Sequence, residues 1–399
     1  MMTERPLVED NPRRGARELA GIATCPRLAP VPNWSVRIPA LDGLRGIAIL
    51  LVLLRHSLFG MPTNSRFLAK ILAAGQLTWS GVDLFFVLSG FLIGGILLDA
   101  RESPRYFQTF YIRRAYRILP LYLASTLFFL MRHLLSPVLP GVFGAVSPLT
   151  IPWWSYVTLT QNFWMAHQGW YGAIAMAVTW SLAVEEQFYL TIPCVIRKIR
   201  PTPLLYMLAA VVLGAPLLRI LVRHTFTHGD YACYVLMPCR ADDLCLGVLC
   251  AVLVRNERAW NLLLKKRKEL YFGTALLFTG IALMTYRGCG QFSAPMTSIG
   301  YSVLGLFYAG CLLIAVSAPA GRLFRNPTLM GLGTLAYCSY LLHFPLVNAG
   351  RRLLEFRYSP DRAWLPGSIL GIAATLMLAM LSWKYLEKPL LRRGHRYVY

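Results

Sequence analysis

Arg45 and His56 lie eleven positions apart in one apolar segment, LDGLRGIAILLVLLRHSLFG, at 41–60. An ionisable side chain inside a membrane-length apolar run is costly and marks function by default. Eleven helical steps turn the chain through about three full turns plus ~20°, so both side chains share a face. The same steps separate them by about 16 Å along the axis, so they cannot touch. A cation at one level and an imidazole at a deeper one suit two stations of one path. The first would hold an anion, and the second would move a proton. The plainer alternative is a snorkelling arginine beside a packed histidine.

Further polar residues interrupt apolar runs. Asp83 sits in WSGVDLFFVLSGFLIGG at 79–95, whose Gly90 and Gly94 form a small-xxx-small pair that lets helices approach closely. As a helix N-terminal charge, Asp83 would also be favoured by the dipole. Arg114 and Arg117, in YIRRAYRILPLYL at 111–123, are three apart and share a helix face. Such arginines are ordinary topology determinants, but two guanidiniums together also bind phosphate well. TWSLAVEEQFYLTIP at 179–193 carries Glu185 and Glu186, which point in different directions, with Tyr189 one turn after Glu185. A carboxylate beside His56 would set its tautomer and stabilise its protonated form, and Glu185 is expected at the depth of His56. Arg240 and Asp242, in CRADDLCLG at 239–247, read as an intramembrane ion pair that could be purely structural. His343, in YCSYLLHFPL at 337–346, follows Tyr340 by three residues and reads equally as a packed core histidine.

These residues fall into two layers. Arg45, Arg114 and Arg117 suit an anionic, phosphorylated donor. His56, Asp83, Glu185, Asp242 and His343 lie deeper, where an imidazole could deprotonate a hydroxyl acceptor. An oxyanion would need donors, for which Tyr189, Tyr340 and His343 are candidates.

The elements that must hold them are membrane helices. The chain has 399 residues, of which 56% are hydrophobic and only 15% charged. Soluble domains carry about 25% charged residues. Apolar runs near membrane-spanning length recur at 40–59, 79–98, 115–134, 179–197, 203–222, 236–255, 270–286, 297–317, 330–349 and 364–383. The expectation is an all-α, polytopic membrane bundle of about ten transmembrane helices. The net charge of +22 would suit nucleic acid, but its distribution is a topology signal. With both termini cytoplasmic, 27 Lys/Arg fall on the cytoplasmic side and 10 on the outer side, as the positive-inside rule requires. Residues 350–363, with four arginines, dissent. The first 37 residues read as a flexible basic cytoplasmic tail without a secretory apolar core, and 391–399 as a short basic cytoplasmic tail. Nine cysteines show no metal-ligand spacing, and no metal is expected.

The motifs LDGLRGIAILLVLLRH (41–56), GVDLFFVLSGFLI (81–93), RRAYR (113–117), WSLAVEEQFYL (180–190), RADDLCLG (240–247), YCSYLLHFPL (337–346) and YLEKPL (385–390), in this order, resemble the membrane acyltransferase 3 family. The resemblance covers 38–390, which is read as one transmembrane domain. It implies a multi-pass protein of the bacterial inner membrane that transfers acetyl or short acyl groups from acyl-CoA, most simply acetyl-CoA. The donor is taken from the cytoplasmic side. Acceptors would be hydroxyls of surface polysaccharides, cell-wall sugars or macrolide-like products. It maps the family's arginine and histidine onto Arg45 and His56, its Arg-x-x-Arg onto Arg114 and Arg117, and its glutamate onto Glu185. Asp83, Tyr189, Arg240, Asp242, Tyr340 and His343 would support that site. No nucleic acid partner is expected, and a homo-oligomer is compatible with this reading. The rival class is a transporter or flippase of a lipid-linked or acylated sugar, since buried ionisable groups also make proton relays. Inverted repeats would favour it, and the hydropathy shows none.

Overall fold

The computed structural model describes residues 38–58, 60, 61, 63, 65, 72, 75–137, 149–317 and 323–399. The N-terminal tail expected at 1–37 therefore lies outside the described residues. Among those described there is no strand. The chain forms α1 (Pro39–Leu58), α2 (Gly81–Asp99), α3 (Tyr106–Leu135), α4 (Trp153–Val157), α5 (Gln161–Gln168), α6 (Thr179–Lys198), α7 (Pro201–Thr225) and α8 (Gly229–Val235). It continues with α9 (Met237–Arg255), α10 (Glu257–Lys265), α11 (Arg267–Tyr286), α12 (Tyr301–Ser317), α13 (Pro327–Thr334), α14 (Ala336–Glu355), α15 (Pro360–Ser382) and α16 (Lys388–Gly394).

Each of the ten apolar runs falls on this set of helices. Six helices are long and apolar enough to cross a membrane, and α13 with α14, bent by 75°, would make a seventh. The remaining runs are α1, α6 and α9, of 20, 20 and 19 residues. They are long enough but carry charge: Asp42, Arg45 and Arg55 on α1, Glu185 and Glu186 on α6, and Arg240, Asp242 and Asp243 on α9. These three helices carry Arg45, His56, Glu185, Arg240 and Asp242, while Asp83, Arg114, Arg117 and His343 lie on the more apolar helices.

Burial explains how they tolerate it. The apolar windows of α3 and α7 are only 22% buried and that of α11 11%, against 72% for the α2 window. Leu127, Phe128, Leu213, Leu217, Phe272 and Leu276 stay exposed on the outer helices, an apolar rim suited to lipid. The charged helices pack inside that rim. In lipid the hydrophobic effect gives little drive for helix association, so close packing must supply it. A Cβ on Gly90 of α2 would lie 1.9 Å from the Leu244 carbonyl of α9, and one on Gly247 2.2 Å from the Val87 carbonyl. The glycine pair therefore sets the α2–α9 crossing. Gly46 and Gly333 do the same between α1 and α13, where an added Cβ would meet the carbonyls of Leu329 at 2.0 Å and Asp42 at 1.9 Å.

Two basic segments are placed differently from a simple loop or tail. Arg351, from the dissenting 350–363 stretch, lies on α14 and is buried. Its Nη2 donates to the carbonyls of His56 and Ser57, both at 2.8 Å, and its Nε to Ser368 Oγ at 2.8 Å. Its guanidinium also lies 3.8 Å above the Trp364 ring. It caps the C-terminus of α1, where a cation meets orphan carbonyls and the negative end of the dipole. Residues 391–399 pack back along α3. Arg113 Nε donates to the Tyr397 carbonyl at 2.8 Å, and Thr109 Oγ1 to that of Val398 at 3.1 Å.

Candidate active site

A cavity of about 1000 Å³ lies between α1, α2, α3, α6 and α14, bordered at one end by α16 and the residues after it. That end is predominantly cationic, with Arg45, Arg113, Arg114, Arg117, Arg255 and Lys388 in its wall against Asp42, Asp99 and Glu387. Arg45 Nη1 reaches Asp42 Oδ1 at 3.2 Å. Arg114 and Arg117 form no salt bridge or hydrogen bond among the described residues, so their donors are free for an anion. At the mouth, burial and then Arg113, Arg114 and Arg117 depress the His395 imidazole below its ordinary value, which keeps it uncharged at neutral pH. Further in, the wall is apolar, with Phe85, Leu88, Phe91, Leu92, Ile118 and Leu182. The deep end is Val82, Thr179, Ser181 and Tyr340. There Tyr340 Oη lies 2.6 Å from Ser181 Oγ and donates to the Val178 carbonyl at 3.1 Å.

The three arginines expected to act together, from α1 and α3, do converge. The expected pairing of Glu185 with His56 does not occur. Glu185 lines the cavity, where Ser89 Oγ donates to its Oε1 at 2.8 Å and Tyr189 Oη to its Oε2 at 3.3 Å. It shares the cavity wall with the three arginines, whereas His56 does not line the cavity. Glu186 has a buried oxygen without a partner and does not line the cavity. The direction change between adjacent helical residues puts Glu185, and not Glu186, in the cavity wall.

His56 meets His343 instead. His343 Nε2 lies 3.1 Å from His56 Nδ1, and the ring centroids are 4.8 Å apart, edge to face. His56 Nδ1 is also 2.9 Å from the Val52 carbonyl, and His343 Nδ1 is 2.7 Å from that of Tyr340 and 3.1 Å from that of Ser339. The pair stands beyond the deep end of the cavity, with the Tyr340 ring centroid 5.9 Å from that of His343. Tyr189, Tyr340 and His343, the oxyanion candidates, all have their polar atoms engaged with protein here.

Asp83, Arg240 and Asp242 belong to a separate, fully buried network with different partners from those expected. Arg240 Nη2 binds Asp83 of α2 and, at 3.0 Å, Asp243 Oδ2. Asp242 Oδ2 instead accepts from Arg219 Nη1 of α7 at 2.8 Å and from Ser302 Oγ of α12 at 2.6 Å. On a helix, positions two apart diverge and positions three apart converge, so Arg240 finds Asp243 and not Asp242. The Arg240 guanidinium also lies 4.2 Å over the Tyr301 ring. The network ties α2, α7, α9 and α12 together. Sequence reading missed Arg219, although it falls within the 203–222 apolar run. It also missed Asp243, Ser89 and Arg351. Among the described residues, no three His, Cys, Asp or Glu side chains converge as a metal site would.

A family model described as an acyltransferase domain matches residues 38–384. The chain is 28% identical over 384 residues to "Peptidoglycan O-acetyltransferase OatA" of Listeria monocytogenes, covering 90% of this chain and 56% of that protein. It is 28% identical over 378 residues to "Putative peptidoglycan O-acetyltransferase YrhL" of Bacillus subtilis, with the same shares. The chain spans just over half the length of these relatives. No solved structure matches.

Proposed function

The chain belongs to the acyltransferase 3 family, and on that premise we propose that it moves an acetyl or short acyl group from acyl-CoA, most simply acetyl-CoA, to a carbohydrate hydroxyl. The observation that carries the donor assignment is the cavity, cationic at one end and apolar along its length. Free guanidiniums suit the phosphates of coenzyme A, and an apolar throat suits an extended pantetheine arm. Arg45, Arg114 and Arg117 hold the phosphates. Ten helical spans and cytoplasmic termini, supported by the 27 to 10 split of Lys/Arg, put this end at the cytoplasm of a bacterial inner membrane. The tail before residue 38 is cytoplasmic in the same scheme.

His56 is the general base. It accepts the hydroxyl proton, the oxygen attacks the thioester carbonyl, the C–O bond forms, and the C–S bond breaks to release the thiolate, which takes a proton. No carboxylate contacts His56 among the described residues, and the Arg351 guanidinium sits over its carbonyl. A proton on the ring therefore has no carboxylate beside it. Glu185 lies on the donor side, in the cavity wall with the arginines, where Ser89 and Tyr189 hold it. The names of the relatives support a cell-wall or surface glycan as acceptor.

The test is release of coenzyme A thiol from acetyl-CoA by purified protein in vesicles, with and without a glycan acceptor. Acceptor-stimulated release with acetyl on the glycan supports the proposal. Movement of a lipid-linked sugar without thiol release would favour the transporter class instead.

A further inference from the structure

We infer that His343 is a positioning residue that fixes His56 in its Nδ1–H tautomer and accepts the hydrogen bond that steadies the protonated ring. This deepens the proposed role of His56 and rests on it. The inference follows from four short contacts and the donor capacity of imidazole. A neutral imidazole has one N–H and one lone pair, and a carbonyl oxygen only accepts. His343 Nδ1 faces two carbonyls, at 2.7 Å and 3.1 Å. A lone pair at that nitrogen would oppose both oxygens, so the hydrogen sits on Nδ1. His343 Nε2 then carries the lone pair, and it points at His56 Nδ1 from 3.1 Å. His56 Nδ1 also lies 2.9 Å from the Val52 carbonyl, a second acceptor. The hydrogen of His56 is therefore on Nδ1, shared between Val52 and His343. Its Nε2 is left as the lone pair that can take a proton.

The reverse assignment, with His343 donating from Nε2, would leave both Nδ1 lone pairs facing carbonyls at contact distance. It would also leave His56 without a basic nitrogen away from its helix. His343 thus fills the place that a carboxylate holds beside a catalytic histidine, but as a neutral acceptor. His343 is itself fully buried, and Phe344 packs on the His56 ring at 4.7 Å. Arg351, one face further along α14, holds the end of α1 by the carbonyls of His56 and Ser57. One helix therefore sets both the backbone and the ring of the base.

The experiment joins turnover with histidine nitrogen-15 spectra of the intact protein. His343→Gln keeps a side-chain carbonyl that can accept from His56 Nδ1–H, whereas His343→Leu keeps bulk but no acceptor. A hydrogen bond to a charged group is worth enough to change a rate by about 10- to 100-fold. His343→Leu should lower kcat by that factor with KM for acetyl-CoA unchanged, and His343→Gln should recover most of it. The wild-type spectrum should show both rings protonated at Nδ1 only, with scalar coupling across the His56 Nδ1–H···Nε2 His343 bond. A proton on His343 Nε2, or wild-type kcat in a folded His343→Leu protein, would overturn the inference. The spectrum needs no turnover, so it stands apart from the role of His56 in the reaction. An active His56→Ala protein would refute that role and leave the tautomer result intact.

Discussion

At the scale of single residues, the account separates groups that hold the donor from the group that moves the proton. Arg114 and Arg117 line the cavity without a salt bridge or hydrogen bond among the described residues. Charge-assisted contacts to phosphate are worth about 1.5–3 kcal/mol each. Arg114→Ala with Arg117→Ala should therefore weaken acyl-CoA binding by tens-fold or more, with a smaller effect on turnover at saturating donor. Titration calorimetry checks this, and unchanged affinity would return both residues to a topological role. Glu185 makes the opposite prediction. Glu185→Gln keeps acceptor and shape toward Ser89 and Tyr189 but removes an ionisable carboxyl from an anion-binding cavity. Donor affinity should hold or rise by a few-fold, and kcat should stay within about tenfold. A loss of turnover as deep as that of His56→Ala would put Glu185 back on the histidine. The arginines were legible in sequence because cations in apolar runs stand out and helical spacing gives their face. The His56–His343 contact was not. It depends on the register of α14 against α1, which Arg351 fixes through the His56 and Ser57 carbonyls, and periodicity within either helix carries no information on register between them.

Among elements, the charged helices are held by glycine contacts and by the buried ion network. Gly90 lies so close to Leu244 that no side chain fits without moving the α2–α9 crossing. Gly90→Val should cost about 1–3 kcal/mol or more by overpacking, and it should lower thermal stability in detergent while leaving Arg114 and Arg117 chemically intact. A melting temperature equal to wild type would show that the crossing is not set by this contact. The small-xxx-small spacing was readable in sequence, but its partner helix was not. The RADDLCLG motif read as an Arg240–Asp242 pair, whereas Arg240 pairs with Asp83 and Asp243, and Asp242 with Arg219. Asp83, 157 positions before Arg240, became its partner only when α2 and α9 crossed at the glycines.

For the molecule as a whole, the helical membrane class was legible from composition and run length, because lipid leaves the backbone few options. The apolarity of individual helices understated it, since α1, α6 and α9 carry their charge inward. The ten-span scheme predicts that a reporter active only in the cytoplasm gives signal when fused at Arg105 or Lys266 and none at Trp164. Signal at Trp164 would reject it. The central claim is that His56 takes the acceptor proton beyond a cavity that holds acyl-CoA. The most direct measurement is the rate of acetyl transfer by His56→Gln at saturating donor and acceptor, with folding and acyl-CoA binding checked on the same sample. The account predicts normal donor binding and a loss of about 10²–10⁴-fold in transfer, the usual worth of a general base. Transfer near the wild-type rate would contradict it and leave the site without its base.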